Sequence, residues 1–274
     1  MTAGDLPPFR ANGPVRAGIP EHGRVPRYYA VKVELLELIE TLGVGAILPA
    51  ERELAERFGV SRITLRQAVG ELVLEGRLVR RQGSGTFVSP PKLVQRLSMA
   101  SYAEGMRSHG LLPGRSLIST EEVPADAGLA DDLGIEVGAA VLHLERVITA
   151  DGDRVGLESC YLPADRFPDL LTGFDPSTSL YAFLSEQCGV EFAAAEERLE
   201  TVLATPREAL LIGTNPALPM LLLNRISYDR ADRPIERVRS LYRGDRFSFA
   251  TRLTGAERRG TARGGAAVGD ARSE

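Results

Sequence analysis

Two groups of residues in this chain have types and spacing suited to recognition chemistry. The first lies in the run Ser61-Arg62-Ile63-Thr64-Leu65-Arg66-Gln67. Counted at about 100° per residue, Leu65, Ala68, Val69, Leu72 and Val73 make one apolar helical stripe. Ile63, Arg66, Gln67 and Gly70 face the other way, and Arg62 and Thr64 project from the first turn. These side chains suit a DNA major groove: arginine pairs bidentately with guanine or bonds phosphate, glutamine pairs with adenine, and isoleucine meets a thymine methyl. Gly70 costs about 1 kcal/mol against alanine inside a helix, which fits a surface that something approaches closely. By itself the pattern also fits an ordinary solvated helix face.

The second group is charged and sits where a core belongs. In strand alternation Arg146 shares a face with Leu142, Leu144 and Ile148. Glu158 shares one with Cys160 and Leu162, and Glu236 with Val238, Ser240 and Tyr242. Charges on inward faces need partners. Either an internal arginine–glutamate salt bridge or a ligand answers that need, and the pattern leaves both open.

The elements that must position the first group lie before residue 92. Apolar spacing predicts helices over Tyr28–Thr41 and Glu51–Phe58, and a third from the N-cap Ser61 to Gly76. The run RLVRRQGSGTFVS then reads as two short strands joined at Gln82-Gly83-Ser84-Gly85. Three helices and a hairpin make a winged helix-turn-helix. Ala55, Gly59 and Leu65 fall at the spacing of its turn, where a small residue lets the helices approach, glycine turns the chain and an apolar residue pins the second helix.

From residue 99 onward short helices alternate with strand pairs. AVLHLERVITA, the turn Asp151-Gly152-Asp153 and RVGLESCYLP form a hairpin, and LPMLLLNRISYDR leads through Ala231–Pro234 into IERVRSLYRGDRFSFATRL. The fold class expected is a winged helix-turn-helix followed by an α+β domain with a mainly antiparallel sheet. Residues 1–23 and 254–274, rich in Pro, Gly and Ala, are expected to be disordered tails. The division expected is 24–90 for DNA binding, 91–98 as a linker that the proline pair Pro90-Pro91 introduces, and 99–253 for effector binding and dimerisation.

Charge divides along the same line. Residues 24–92 carry 11 Arg+Lys against 8 Asp+Glu, while residues 93–274 carry 20 against 27, so an acidic chain holds a basic N-terminal module. No apolar run reaches the roughly 18 residues of a membrane span, and the N-terminus lacks a signal-peptide stretch, so a cytoplasmic protein is expected. Cys160 and Cys188 have no metal-ligand spacing, and His22, His109 and His143 lie far apart. No metal, cofactor or catalytic constellation is expected.

The stretch LPAERELAERFGVSRITLRQAVGELVLEGRLVRRQGSGTFV resembles the N-terminal domain of GntR-family transcription regulators over some forty residues. The resemblance implies that Arg52, Arg62 and the wing-tip Gly83 approach bases, while Thr64, Arg66 and Gln67 hold phosphates. It also implies a homodimer reading an inverted repeat, with the wing in the minor groove. Where the family opens its second helix with a capping serine, this chain has Ala50 and keeps Glu53.

SYAEGMRSHG, LERV, LES, TSLYAFL, ATPREALLIG and PIERVRSLYRGDRF resemble the chorismate-lyase-like effector domain (UTRA) of the HutC subfamily, nearest to amino-sugar regulators of the NagR and DasR kind. That likeness implies a non-catalytic domain that binds a sugar or sugar-phosphate effector. Carried over, Arg146, Ser179 and Tyr181 hold phosphate, Glu158 and Glu236 accept from sugar hydroxyls, and Tyr242 faces the sugar. Two departures stand out: Ile148 replaces the second arginine of an Arg-x-Arg pair, and Ala100 beside Ser101 replaces a phosphate-holding threonine. Loss of a charged donor forfeits about 1.5–3 kcal/mol, so the expectation is a pocket that holds phosphate weakly or not at all. A pyridoxal-phosphate regulator is excluded, because the only lysines are Lys32 and Lys92. A chorismate-lyase-like enzyme and a domain that only dimerises are the remaining alternatives.

Overall fold

The computed structural model describes residues 26–81, 83–98, 105–107 and 110–251. Ala100, Ser101, His22, His109 and both expected tails, 1–23 and 254–274, lie outside the described residues.

The N-terminal unit is built from α1 (Arg27–Leu42), α2 (Glu51–Arg57), α3 (Arg62–Leu74), β1 (Leu78–Arg81) and β2 (Gly85–Val88). The stripes read from the sequence meet in one core: Val31, Leu35 and Ile39 of α1, Leu54 and Ala55 of α2, and Leu65, Ala68, Val69 and Leu72 of α3 are all buried. Gly59 takes φ +63 between α2 and α3, a left-handed turn that costs other residues strain. The Ser61 hydroxyl caps α3 by accepting from the Thr64 amide at 3.2 Å. Helix α2 has no side-chain cap at Ala50, as the missing serine implies. Lys32 ties α1 to α3 through Glu71 at 2.9 Å and Glu75 at 2.5 Å. Strands β1 and β2 pair antiparallel, Leu78 opposite Val88, and form the wing.

The second unit is a six-stranded antiparallel sheet in the order β4-β5-β6-β9-β8-β7, from β4 (Pro113–Pro124), β5 (Ala140–Ala150), β6 (Asp153–Pro163), β7 (Phe192–Leu203), β8 (Pro219–Asp229) and β9 (Pro234–Arg243). One face is packed by α4 (Ala127–Leu133) and α7 (Pro206–Ile212), whose Leu129, Leu133, Ala209 and Ile212 are buried. The other face is covered at one end by α5 (Leu170–Gly173) and α6 (Leu180–Glu186), which bury Leu170, Leu180 and Leu184 against Leu144 and Leu162.

The opposite end of that face corrects the sequence reading. Half of the expected linker 91–98 is a strand: β3 (Leu93–Arg96) pairs parallel with β10 (Phe247–Ala250), Leu93 opposite Phe247. The proline pair at 90–91 punctuates the chain, but Leu93, buried Gln95 and Leu97 share one face, and the two leucines pack on the cluster of Phe247, Tyr242 and Ile148. Burial of that face overrides the linker-like composition.

The two units touch where β9 turns into β10. Lys92 Nζ donates to the Gly244 carbonyl at 2.7 Å. Gly76, at φ +72 just past α3, lies so close that a Cβ there would stand 2.0 Å from the Asp245 carbonyl oxygen. The segment that leaves α3 therefore rests directly on the turn that follows β9.

Candidate functional site

The DNA-facing residues of the sequence reading are held on a rigid frame. Arg52 on α2 and Arg66 on α3 have side chains 82% and 58% exposed. Ile63 is 80% exposed, and Arg62, Gln67 and Gly83 are also exposed. Buried Leu65 and Ala68 fix the opposite side of the same helix. The hydroxyl of Thr64 lies 2.9 Å from that of Ser61, so its position follows from the cap. Arg66 Nε donates to Glu51 at 2.6 Å, an exposed pair that must open if Arg66 takes a phosphate. The wing tip lies at Gly83, φ +73, with no atom near its Cβ direction.

In the second unit the register gathers the anomalous charges onto one sheet face. Arg146 lies opposite Glu158, and Glu158 opposite Ser240. Arg225 lies opposite Val238, and Ser227 opposite Glu236. Between the α6 cluster and the β3/β10 pair this face encloses a cavity of about 60 Å³. Of the predicted effector residues, Arg146, Glu158, Ser179, Tyr181 and Tyr242 line it, and Glu236 is buried just behind. Arg96, Arg115 and Arg225 line it as well, and Glu158 is the one carboxylate among these described lining residues.

Arg146 is 1% exposed; its Nη2 donates to Glu158 and its Nη1 to the carbonyls of Pro176 and Thr178 at 3.3 and 3.2 Å. Burial alone would push the Glu158 carboxyl up, yet the Arg146 and Arg115 guanidiniums outweigh it and hold the group below the usual carboxylate range. The salt-bridge answer thus holds for Arg146, and the pair also forms the cavity wall. Ser179 caps α6, accepting from the Ala182 amide at 3.3 Å. From Arg225 a chain of hydrogen bonds runs inward. Its Nη1 donates to the Tyr181 hydroxyl at 3.1 Å, Tyr181 lies 3.3 Å from the Ser227 hydroxyl, and Ser227 donates to Glu236 Oε1 at 3.0 Å.

Glu236 is fully buried, and burial raises its carboxyl to about 7 against the hydrogen bonds from Tyr181 and Ser227. Its folded value lies above its ordinary 4.5, so the fold binds the extra proton between those values and loses stability as pH rises through about 7. Glu236→Gln should remove that slope and raise stability at pH 8 by about 3 kcal/mol. Urea denaturation of both proteins at pH 5 and pH 8 measures it.

The sequence reading missed Arg225 and Arg115. Arg225 shares its strand face with Leu223 and Ser227, so alternation along β8 could have flagged it. Arg115 sits on β4, where PGRSLISTEEVP carries no clear apolar alternation and a bulge falls between Leu117 and Ser119.

Comparison with known proteins agrees with this architecture. Residues 27–88 match the model of bacterial regulatory proteins of the gntR family, and residues 108–248 that of the UTRA domain. The chain belongs to the GntR family of regulators, with the UTRA-type domain of the HutC subfamily. It is 47% identical over 226 residues to the HTH-type transcriptional repressor PhnF of Mycolicibacterium smegmatis, covering 82% of this chain and 92% of that one. To the HTH-type transcriptional repressor NagR of Bacillus subtilis it is 36% identical over 228 residues, covering 82% and 93%. The crystal structure of PhnF from Mycobacterium smegmatis superposes with a TM-score of 0.61 over 82% of this chain and 99% of that one. These relatives are regulators and not enzymes. Among the described residues no helix is long and apolar enough to cross a membrane.

Proposed function

We propose that this protein is a transcriptional repressor that binds an inverted-repeat operator as a homodimer and is released by a small sugar or sugar-phosphate effector held in the arginine-lined cavity. The observation that carries the reading is the cavity's wall. Gln95, Arg96 and Leu97 of the segment arriving from the DNA-binding unit line it, and Arg225 Nη2 donates to the Ser98 carbonyl at 2.9 Å. An effector that engages Arg225 competes for the group that holds this segment. The cavity, about 60 Å³, has β3 as one wall, and an effector that bears on this wall favours an opened form. The same face runs through Ser240 and Tyr242 to the Gly244-Asp245 turn beside Gly76. Differential affinity for the closed and opened cavity is then what shifts the spacing of the two recognition helices. Both curated relatives named above are called repressors, which supports the sign of the regulation.

On the DNA side Arg52 and Arg62 read bases, Thr64, Arg66 and Gln67 hold phosphates, and the wing enters the minor groove at Gly83. Arg62→Ala should relax discrimination at one base pair of each half-site by about 1–3 kcal/mol, whereas Arg66→Ala should weaken all sequences alike. Selection from a random duplex pool tests this. An Arg62→Ala protein that enriches the wild-type sequence unchanged would contradict the assignment.

A further inference from the structure

Ile148 leaves a gap in the cation pattern along β5, and the sheet register shows what stands beside it. The Cα partner of Ile148 on the neighbouring strand is Arg115 of β4. Arg115 projects onto the same face as Arg146, and its side chain is 6% exposed. Its Nε lies 3.6 Å from Glu158 Oε1, the oxygen that also accepts from Arg146 Nη2. Two nearly buried guanidiniums from adjacent strands thus share one carboxylate at the cavity wall, with Arg225 entering from β8. Guanidinium forks match tetrahedral oxyanions through paired N–H donors, and buried positive charge is stabilised most by an anion placed among such forks. Arg115, Arg146 and Arg225 all line the same cavity of about 60 Å³.

We infer that Arg115 determines specificity: with Arg146 it clamps a tetrahedral anionic head, a phosphate ester or a phosphonate, supplying from across the strand pair the cation that position 148 lacks. The inference rests on the effector reading above and reverses the expectation, drawn from Ile148 and Ala100, of weak phosphate binding. Phosphate ester and phosphonate share the same tetrahedral oxygens and charge, so the geometry selects the head and leaves the body to the rest of the cavity.

Titration calorimetry on the full chain tests it with three probes: glucosamine-6-phosphate, methylphosphonate as a head without a sugar, and glucosamine as a sugar without a head. The wild type should bind glucosamine-6-phosphate more tightly than glucosamine. Arg115→Met should lose about 10- to 150-fold in affinity for each phosphorus-bearing probe that the wild type binds, with no comparable change for glucosamine. Arg115→Lys keeps the charge but not the fork and should retain part of the affinity. If the methionine variant has no cooperative melting transition, the lysine variant decides. Variants that titrate like the wild type would overturn the role of Arg115 and leave the effector reading standing. A wild type that binds neither phosphorus-bearing probe would overturn the anionic-head assignment, and silence toward all three would sink the sugar-effector reading too.

Discussion

Replacing Glu158 with glutamine should lower the unfolding free energy by about 3–5 kcal/mol, and Arg146→Met should cost less. The asymmetry follows from the count of partners. Glu158 is shared by Arg146 and, at 3.6 Å, by Arg115, so removing the carboxylate leaves two buried guanidiniums facing each other. Removing Arg146 leaves the carboxylate with Arg115 and vacates donors that had satisfied the Pro176 and Thr178 carbonyls. Urea denaturation at pH 7 measures both costs. If Arg146→Met proves the costlier, Glu158 is a simple partner of Arg146 and the shared arrangement is wrong. The pH dependence follows from the direction of the shift. The Glu158 carboxyl is held below its ordinary 4.5, so its contribution is full above that pH and is lost as pH falls through the lowered value. Glu236 runs the other way, losing stability as pH rises through about 7.

Leu65→Ala should destabilise the DNA-binding unit by about 2–5 kcal/mol and abolish operator binding by unfolding the reader. Leu65 is 0% exposed and packs in the core shared with Leu35, Leu54, Ala68 and Leu72. A unit of this size has only a few kcal/mol to lose. Arg62, three residues earlier on the exposed side, should leave the melting transition in place and alter only sequence preference. Thermal melting of both variants, read beside their binding to the same duplex, separates loss of the scaffold from loss of base contacts. A Leu65→Ala protein that still melts like the wild type would mean that α3 is held by something other than this core.

The helical stripes were legible because each apolar residue at helical spacing finds its partner within the same short unit. Ser61, Gly59 and Ala55 are legible from local chemistry, and the structure uses Ser61 in the cap and Gly59 in the turn and buries Ala55 in the shared core. The charges at Arg146, Glu158 and Glu236 were legible as exceptions to strand alternation, and the register brings them to one face. What the sequence hid is non-local. Arg115 acquires its place only because β4 pairs with β5 in one register, and nothing in PGRSLISTEEVP announces that register. The strand β3 was hidden for the same reason: Pro90-Pro91 and a short polar-mixed run look like a linker until Phe247 and Tyr242 provide an apolar surface to cover. Arg225 stood in a strand recognised as such, and its inward face could have been counted.

The most direct test of the account is fluorescence anisotropy of the full chain on the inverted-repeat duplex enriched from a random pool, titrated with glucosamine-6-phosphate, methylphosphonate and glucosamine. The account predicts that a phosphorus-bearing probe weakens binding to this duplex, and that Arg225→Met, which loses the hold on both the Ser98 carbonyl and the effector, blunts the response. Operator affinity unchanged by every probe in the wild type would contradict control of DNA binding through this cavity by such a ligand.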